Sequence, residues 1–270
     1  MGAMKLRRRG ALAAAAGLVG VPLLPRAAGA QMQAATEEAI MRATGGRMPQ
    51  GGRVALRLPP VAENGDAVPL RVQVESPMTA ADHAKAVHVF AAENPAPDVA
   101  AFRFTPAMGR ARADTRIRLG ATQDVIAVAE MSDGSVWMAS AGVRVAVGGG
   151  CAAGRGGDGR AAAPIGQPRL SLPAQAKAGE IIEIVTSVSH PMAAGLRCDR
   201  QGGAGAPDIV RRFVARFDGQ EVFAMDLATA ISADPYIAFP FKAEKAGAFE
   251  FVWANEAGEE RKATAELKVG

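Results

Sequence analysis

The chain has 270 residues, a formal net charge of +4 and two cysteines in a composition that is 49% hydrophobic. Five of its 31 basic residues, and none of its 27 acidic ones, fall within the first thirty positions, so the remainder is near neutral at 26 against 27. No Lys/Arg cluster with interleaved aromatics is left to bind nucleic acid, two cysteines are too few for a disulfide framework, and the length allows two ordinary domains that each bury a core.

The first thirty residues run from a basic start (Lys5, Arg7, Arg8, Arg9) through the apolar stretch GALAAAAGLVGVPLL to Ala28-Gly29-Ala30. That is the pattern of a signal peptide over residues 1–30. The stretch is too rich in Gly and Pro, and too short, for a membrane span, which needs roughly 20 apolar residues. The expectation is a periplasmic chain with no stable membrane insertion. Arg8-Arg9-Gly10-Ala11-Leu12 matches part of the twin-arginine export consensus.

After the signal, Thr36-Glu37-Glu38-Ala39-Ile40-Met41 predicts one short N-terminal helix, with Thr36 as cap and acids in the first turn. The period then changes to two. Val54–Leu58, Leu70–Val74, Val87–Phe90, Ala101–Phe104, Thr115–Leu119 and Val143–Val147 alternate as half-buried strands do, and Val125–Ala129 is apolar enough for a central strand. Asn64-Gly65 and Asp133-Gly134 lie between such runs and predict tight turns with positive backbone angles. Residues 31–147 therefore read as an N-terminal helix followed by an antiparallel β-sandwich.

Residues 148–167, GGGCAAGRGGDGRAAAPIGQ, have almost no bulky apolar side chain and predict a mobile linker, about 25 Å in root-mean-square span when flexible. Strand patterning returns in Arg169–Leu172, Ile181–Val185, Arg212–Phe217, Glu221–Met225, Tyr236–Phe239 and Phe249–Trp253, with Asp218-Gly219 as a hairpin signal. Residues 168–270 thus read as a second sandwich. The fold expected is all-β, two immunoglobulin-like antiparallel sandwiches joined by a Gly/Ala-rich linker.

Chemistry points first to Cys151. Gly148, Gly149, Gly150 and Gly154 flank it with little bulk, so the sulfur is unshielded and the backbone can enter a narrow pocket. An ordinary thiol, with a pKa near ~8.5, offers some thiolate at neutral pH to attack an electrophilic or oxidised sulfur species. A bridge from Cys151 to Cys198 is the competing reading, and for composition alone it has equal weight, because unpaired thiols are uncommon in oxidising compartments. His83, His88 and His190 are scattered, with no second ligand at metal spacing, and neither His nor Met follows Cys151 as closely as a copper site requires. His190-Pro191-Met192 reads as a turn at a strand end. No metal or cofactor is expected.

The segments AENGDAVPLRVQVESPM, HVFAAENPAPDVAAFRFTP, RIRLGATQDVIAVAEMSDGS and the terminal GGGC make the stretch from Val54 to Cys151 resemble the SoxY subunit of the thiosulfate-oxidising system. The stretch from Pro168 to Val269 resembles its partner SoxZ, in PRLSLPAQAKAGEIIEIVTSVSHPM, RRFVARFDGQEVF, AISADPYIAFPF and GAFEFVWANEAGE. The resemblance implies two immunoglobulin-like sandwiches that pair with each other. It also implies a non-catalytic carrier in which Cys151 covalently holds sulfur intermediates, while separate enzymes, c-type cytochromes among them, load, hydrolyse and oxidise the cargo.

Gly149 and Gly150 match the SoxY tail GGCGG, but Ala152-Ala153 replace its last two glycines, and the chain runs on into a second domain where the family has a free arm. Single-chain fusions of this kind resemble a carrier-like group associated with pyrroloquinoline-quinone (quinoprotein) dehydrogenases, so a docking or assembly module is the alternative. Cys198 stands where the SoxZ pattern asks for no cysteine. It reads as a bridge to Cys151, a resolving thiol or an unremarkable partly exposed residue, the last being preferred.

Overall fold

Period-two alternation decides which side of a strand is buried, and the computed structural model, which describes residues 25–149, 164–194 and 207–270, resolves that alternation into strands paired in two layers. Helix α1 (Pro25–Thr44) comes first. The first half then contributes β1 (Gln50–Gly51), β2 (Val54–Arg57), β3 (Val61–Asn64), β4 (Val68–Val74), β5 (Ala84–Ala91), β6 (Asp98–Phe104), β7 (Ala111–Ile117), β8 (Gln123–Met131) and β9 (Val136–Val147). The second contributes β10 (Arg169–Ser171), β11 (Gln175–Ala176), β12 (Glu180–Ser187), β13 (Val210–Phe217), β14 (Gln220–Leu227), β15 (Tyr236–Ala243), β16 (Gly247–Asn255) and β17 (Glu260–Val269). Each half supplies strands to both layers, as immunoglobulin-like sandwiches do.

The halves are joined edge to edge. One sheet runs β1-β9-β8-β5-β6-β14-β13-β16-β17-β11 with β3 beside β9, and the other runs β10-β12-β15-β7-β4-β2. In the larger sheet β6 pairs antiparallel with β14, from Phe104 opposite Phe223 to Ala100 opposite Leu227. Arg103 and Asp226 form an ion pair on the outer side of that seam. In the smaller sheet Asp114 of β7 stands opposite Ala238 of β15, and the Thr115 hydroxyl donates to the Tyr236 carbonyl at 2.8 Å. One continuous apolar core follows, with Phe102 and Phe104 of the first half packed on Phe223 of the second at ring separations of 6.3 and 6.0 Å.

β8 is a central strand for a visible reason. Val125, Ala127 and Ala129 face the core, while Ile126 and Val128 on the opposite side are covered by Ala39, Ile40 and Ala43 of α1. The helix itself departs from expectation. It is already helical at Pro25, so Thr36 lies in its interior, buried, and is no cap. The alanines around it have the highest helix propensity of any residue, which extends the helix back past the Thr-Glu-Glu start signal.

The C-terminal end of α1 is clamped to the sheet. The Arg47 guanidinium donates to the Gly134 carbonyl at 2.8 Å and to the Glu130 carboxylate, whose other oxygen lies 3.0 Å from His88 Nε2. Burial pushes the Glu130 carboxyl up, but the hydrogen bonds from His88 and Arg47 outweigh it and hold the group below the usual carboxylate range. A depressed carboxyl stabilises the fold above its ordinary value near 4.5 and loses that contribution as pH falls through the folded value. Glu130→Gln is therefore expected to speed amide exchange over residues 40–47 at neutral pH, with the gap from wild type closing in acid. Equal exchange at neutral pH would show that the Arg47 bond to Gly134 is sufficient by itself.

All three predicted turns form, two of them with the expected positive backbone angles. Asp133-Gly134 closes β8 onto β9 with Gly134 at φ +84°, and Asp218-Gly219 closes β13 onto β14 with φ +48° and +79°. Asn64-Gly65 also turns, at Gly65-Asp66, but closes no hairpin: β3 pairs with β9 and β4 with β2 and β7, so the segment crosses between layers, and Gly65 is not among the positive-φ residues. Its glycine serves close approach instead.

Candidate functional site

The root of the cysteine arm is built from three backbone segments. Gly65 N–H donates to the Val147 carbonyl at 2.8 Å, Leu119 N–H to the Gly65 carbonyl at 2.8 Å, and Gly149 N–H to the Leu119 carbonyl at 2.9 Å. A methyl at Gly149 would stand 2.2 Å from the Gly65 carbonyl carbon, and one at Gly65 would stand 2.2 Å from the Leu119 oxygen. Only two glycines let the strands meet so closely. Asn94 and Gln123, both buried, brace the root from below. Asn94 Nδ2 donates to the Arg118 carbonyl at 2.9 Å, and its Oδ1 accepts from Gly120 N–H and Gln123 Nε2, each at 3.0 Å.

The described ends of the predicted linker are bonded into the fold. Gly149 is buried and bonded, and on the far side Ile165 is buried, its carbonyl accepting from Arg261 Nε at 2.8 Å, while Gly166 N–H donates to the Ser189 carbonyl at 2.9 Å. At these ends backbone hydrogen bonds and one apolar anchor, Ile165, hold the chain where bulky side chains are lacking. Gly150, Cys151 and Gly154 lie outside the described residues.

Both ends of that segment reach the same end of the sandwich. Arg118, next to Leu119, donates through its guanidinium to the carbonyls of Met192 and of Pro191, the latter at 3.0 Å, and its own N–H reaches the Ala230 carbonyl. Met192 lies beside Ala193, which pairs with Asp208 through two 2.8 Å backbone bonds and so brings together the two ends of the segment that contains Cys198. Cys198 itself lies outside the described residues. The roots of the two cysteine-bearing segments are thus neighbours, a placement that no local sequence signal announces.

The three histidines are far apart in role. His83 Nδ1 sits 3.1 Å from the Thr79 carbonyl, and His88 belongs to the helix clamp. His190 is buried, accepts Met192 N–H on Nδ1 at 3.1 Å, and places Nε2 3.5 Å from Asp208 Oδ1, so it organises the junction of Ala193 with Asp208 from inside where the sequence predicted only a turn. Among the described residues no three His, Cys, Asp or Glu side chains gather as a metal site.

The family model described as "Sulfur oxidation protein SoxY" matches residues 40–151 and the one described as "Sulphur oxidation protein SoxZ" matches residues 170–266. This chain is a SoxY–SoxZ fusion. The SoxY match closes on Cys151, two residues beyond the bonded root at Gly149. Among solved structures, the sulfur carrier protein SoxY from Chlorobium limicola f thiosulfatophilum is 24% identical over 45% of this chain and all of that one, with a TM-score of 0.39. A superoxide reductase (neelaredoxin) from Ignicoccus hospitalis is 19% identical over 39% of this chain and 82% of its own, at 0.32. The tandem Ig repeats of Dlar cover 80% of this chain and 97% of their own at 12% identity and 0.22. Likenesses of that size carry no argument about activity. The comparison with curated proteins gives no match.

Within the fusion, the seam through β6–β14 and β7–β15 is the SoxY–SoxZ contact, made as continued sheets. The residues that build the arm root in the SoxY half, Gly65, Asn94, Leu119 and Gln123, carry no recognisable chemical motif. The ENP and NGD turn triplets are their only local trace.

Proposed function

We propose that this chain is a periplasmic, non-catalytic sulfur carrier in which the Cys151 thiol holds sulfur intermediates for partner enzymes of sulfur oxidation. The observation that supports it is the SoxY match closing on Cys151, whose α-carbon lies within about 7 Å of the Gly149 α-carbon by chain length alone. Gly149 is bonded into the fold, so chain length by itself keeps the Cys151 sulfur near that end of the sandwich. The partner supplies the chemistry: coupling the Cys151 thiolate to the outer sulfur of thiosulfate forms one S–S bond and releases two electrons, which an acceptor of the c-type cytochrome class takes up. The N-terminal thirty residues supply the export address, through the twin-arginine route.

Cys151→Ser is expected to remove all covalent sulfur from the protein, read by intact mass after incubation with thiosulfate and the partner enzymes, and to stop pathway turnover. A Cys151→Ser protein that sustains turnover would instead make the chain a docking or assembly module, as for a quinoprotein dehydrogenase. Non-reducing peptide mapping of the native protein is expected to show Cys151 and Cys198 unbridged to each other. A permanent bridge would remove the carrier thiol and sink the proposal.

A further inference from the structure

A groove of about 490 Å3 opens on the outer face of the smaller sheet, lined by Arg57, Arg71 and Arg116 with Leu58, Pro59 and Tyr236. Its cations follow from strand register. Arg57 of β2 stands opposite Arg71 of β4, Arg71 opposite Asp114 of β7, and Pro69 opposite Arg116. Three guanidiniums face one carboxylate, on a chain whose charge beyond the first thirty residues is close to balanced.

Two of the three guanidiniums are held by neighbouring groups. Arg71 makes a bidentate pair with Asp114, Nε and Nη2 each at 2.7 Å, which leaves Nη1 outside that fork. The Arg116 guanidinium carbon stands over the Tyr236 ring, 5.0 Å from its centroid, a cation–π contact that leaves its N–H donors free to meet an acceptor. Arg57 has no carboxylate partner among the described residues and is exposed. Pre-ordered arginine forks lose little side-chain entropy when a carboxylate arrives.

We infer that this groove is a docking surface for an acidic segment of a partner protein. The charges do not converge on a point, as a free oxyanion would need. Arg57 and Arg116 sit on strands separated by β4, with a spacing of about 4.8 Å for each step between strands. Carboxylates spaced along a chain match that spread, and Leu58, Pro59 and Pro69 offer apolar surface between them. Arginine and tyrosine around a partly apolar centre are the residues that dominate protein interfaces. The groove also lies at the arm end of the molecule, because Arg116 is three residues from Leu119, which accepts the Gly149 N–H. The surface takes such a partner whether or not Cys151 carries cargo, so its test is separate from that of the carrier reading.

Tyr236 is the single tyrosine of the chain, so ring-labelled tyrosine gives one reporter inside the groove. Titration of the full chain with a blocked hexaglutamate peptide is expected to shift the Tyr236 ring signals, with binding that weakens as salt rises from about 0.05 to 0.3 M. The double variant Arg57→Glu with Arg116→Glu is expected to bind about tenfold or more weakly, and Arg57→Glu alone, at an exposed side chain with no fold to disturb, severalfold more weakly. Lys268→Glu, exposed on β17 of the other sheet, is expected to bind as wild type. An unmoved Tyr236, variants that bind equally, or inorganic sulfate occupying the groove more tightly than the peptide would each overturn the inference. So would Tyr236 shifts that track protein concentration without peptide, since these would assign the groove to a second copy of the chain.

Discussion

Phe223→Ala is expected to lower the stability of the whole chain by about 3–5 kcal/mol, the cost of emptying a large aromatic site in a packed core. Phe223 is fully buried, stacks on Phe239 at 4.4 Å, and touches Phe213, Phe102 and Phe104 at 6.0 to 6.3 Å, so its ring joins the two halves across the β6–β14 seam. For a chain of this size that loss corresponds to roughly 6–20 °C in Tm. The pattern is as informative as the size. Because the sheets and core are continuous, calorimetry and near-ultraviolet circular dichroism should follow one transition in wild type, and the variant should move it as a unit. Two transitions, with only the SoxZ half shifted, would show that the seam does not couple the halves.

Gly65→Ala is expected to disturb the arm without touching it. The added methyl would stand 2.2 Å from the Leu119 oxygen and 2.5 Å from the Gly149 nitrogen, both backbone atoms that have no rotamer by which to yield. Backbone displacement of this kind costs about 1–3 kcal/mol, and the two bonds in its path are those that fix Leu119 and Gly149. A shift of about 1 Å in a presented reacting group slows its chemistry by roughly a hundredfold where geometry is decisive. Loading of Cys151 by partner enzymes should therefore slow far more than the stability loss accounts for. The check is the rate of adduct formation by intact mass at a temperature where the variant is folded; an unchanged rate would show that the root does not position the thiol.

Much of the fold was legible because its strands are half-buried. Leu70, Val72 and Val74 alternate with Arg71 and Gln73, and the structure buries the first set, exposes Arg71 and leaves Gln73 half-buried. β17 was missed for the converse reason. Its stretch Glu260-Arg261-Lys262-Ala263-Thr264-Ala265-Glu266 puts Arg261 and two alanines on the inner side, and as a strand near the edge of the sheet it buries little until Leu267. Of the candidate site, Cys151 was legible through its glycine-rich surroundings and the SoxY-like segments before it. Gly65, Asn94, Gln123 and Leu119 were not, since their work is done by backbone contacts and amide bonds between residues 24 to 84 positions apart.

By itself the sequence determined the all-β class and the position of most strands, because side-chain alternation and turn residues are local properties of the chain, while the order of the halves was carried by the segments that resemble SoxY and then SoxZ. It did not determine that the two sandwiches share their sheets, that the arm begins from a bonded root, or that the roots of both cysteine-bearing segments meet at one end. Those were decided by tertiary structure. A strand's own residues specify which face it buries, while the identity of its neighbour depends on unpaired backbone donors and acceptors finding partners far along the chain.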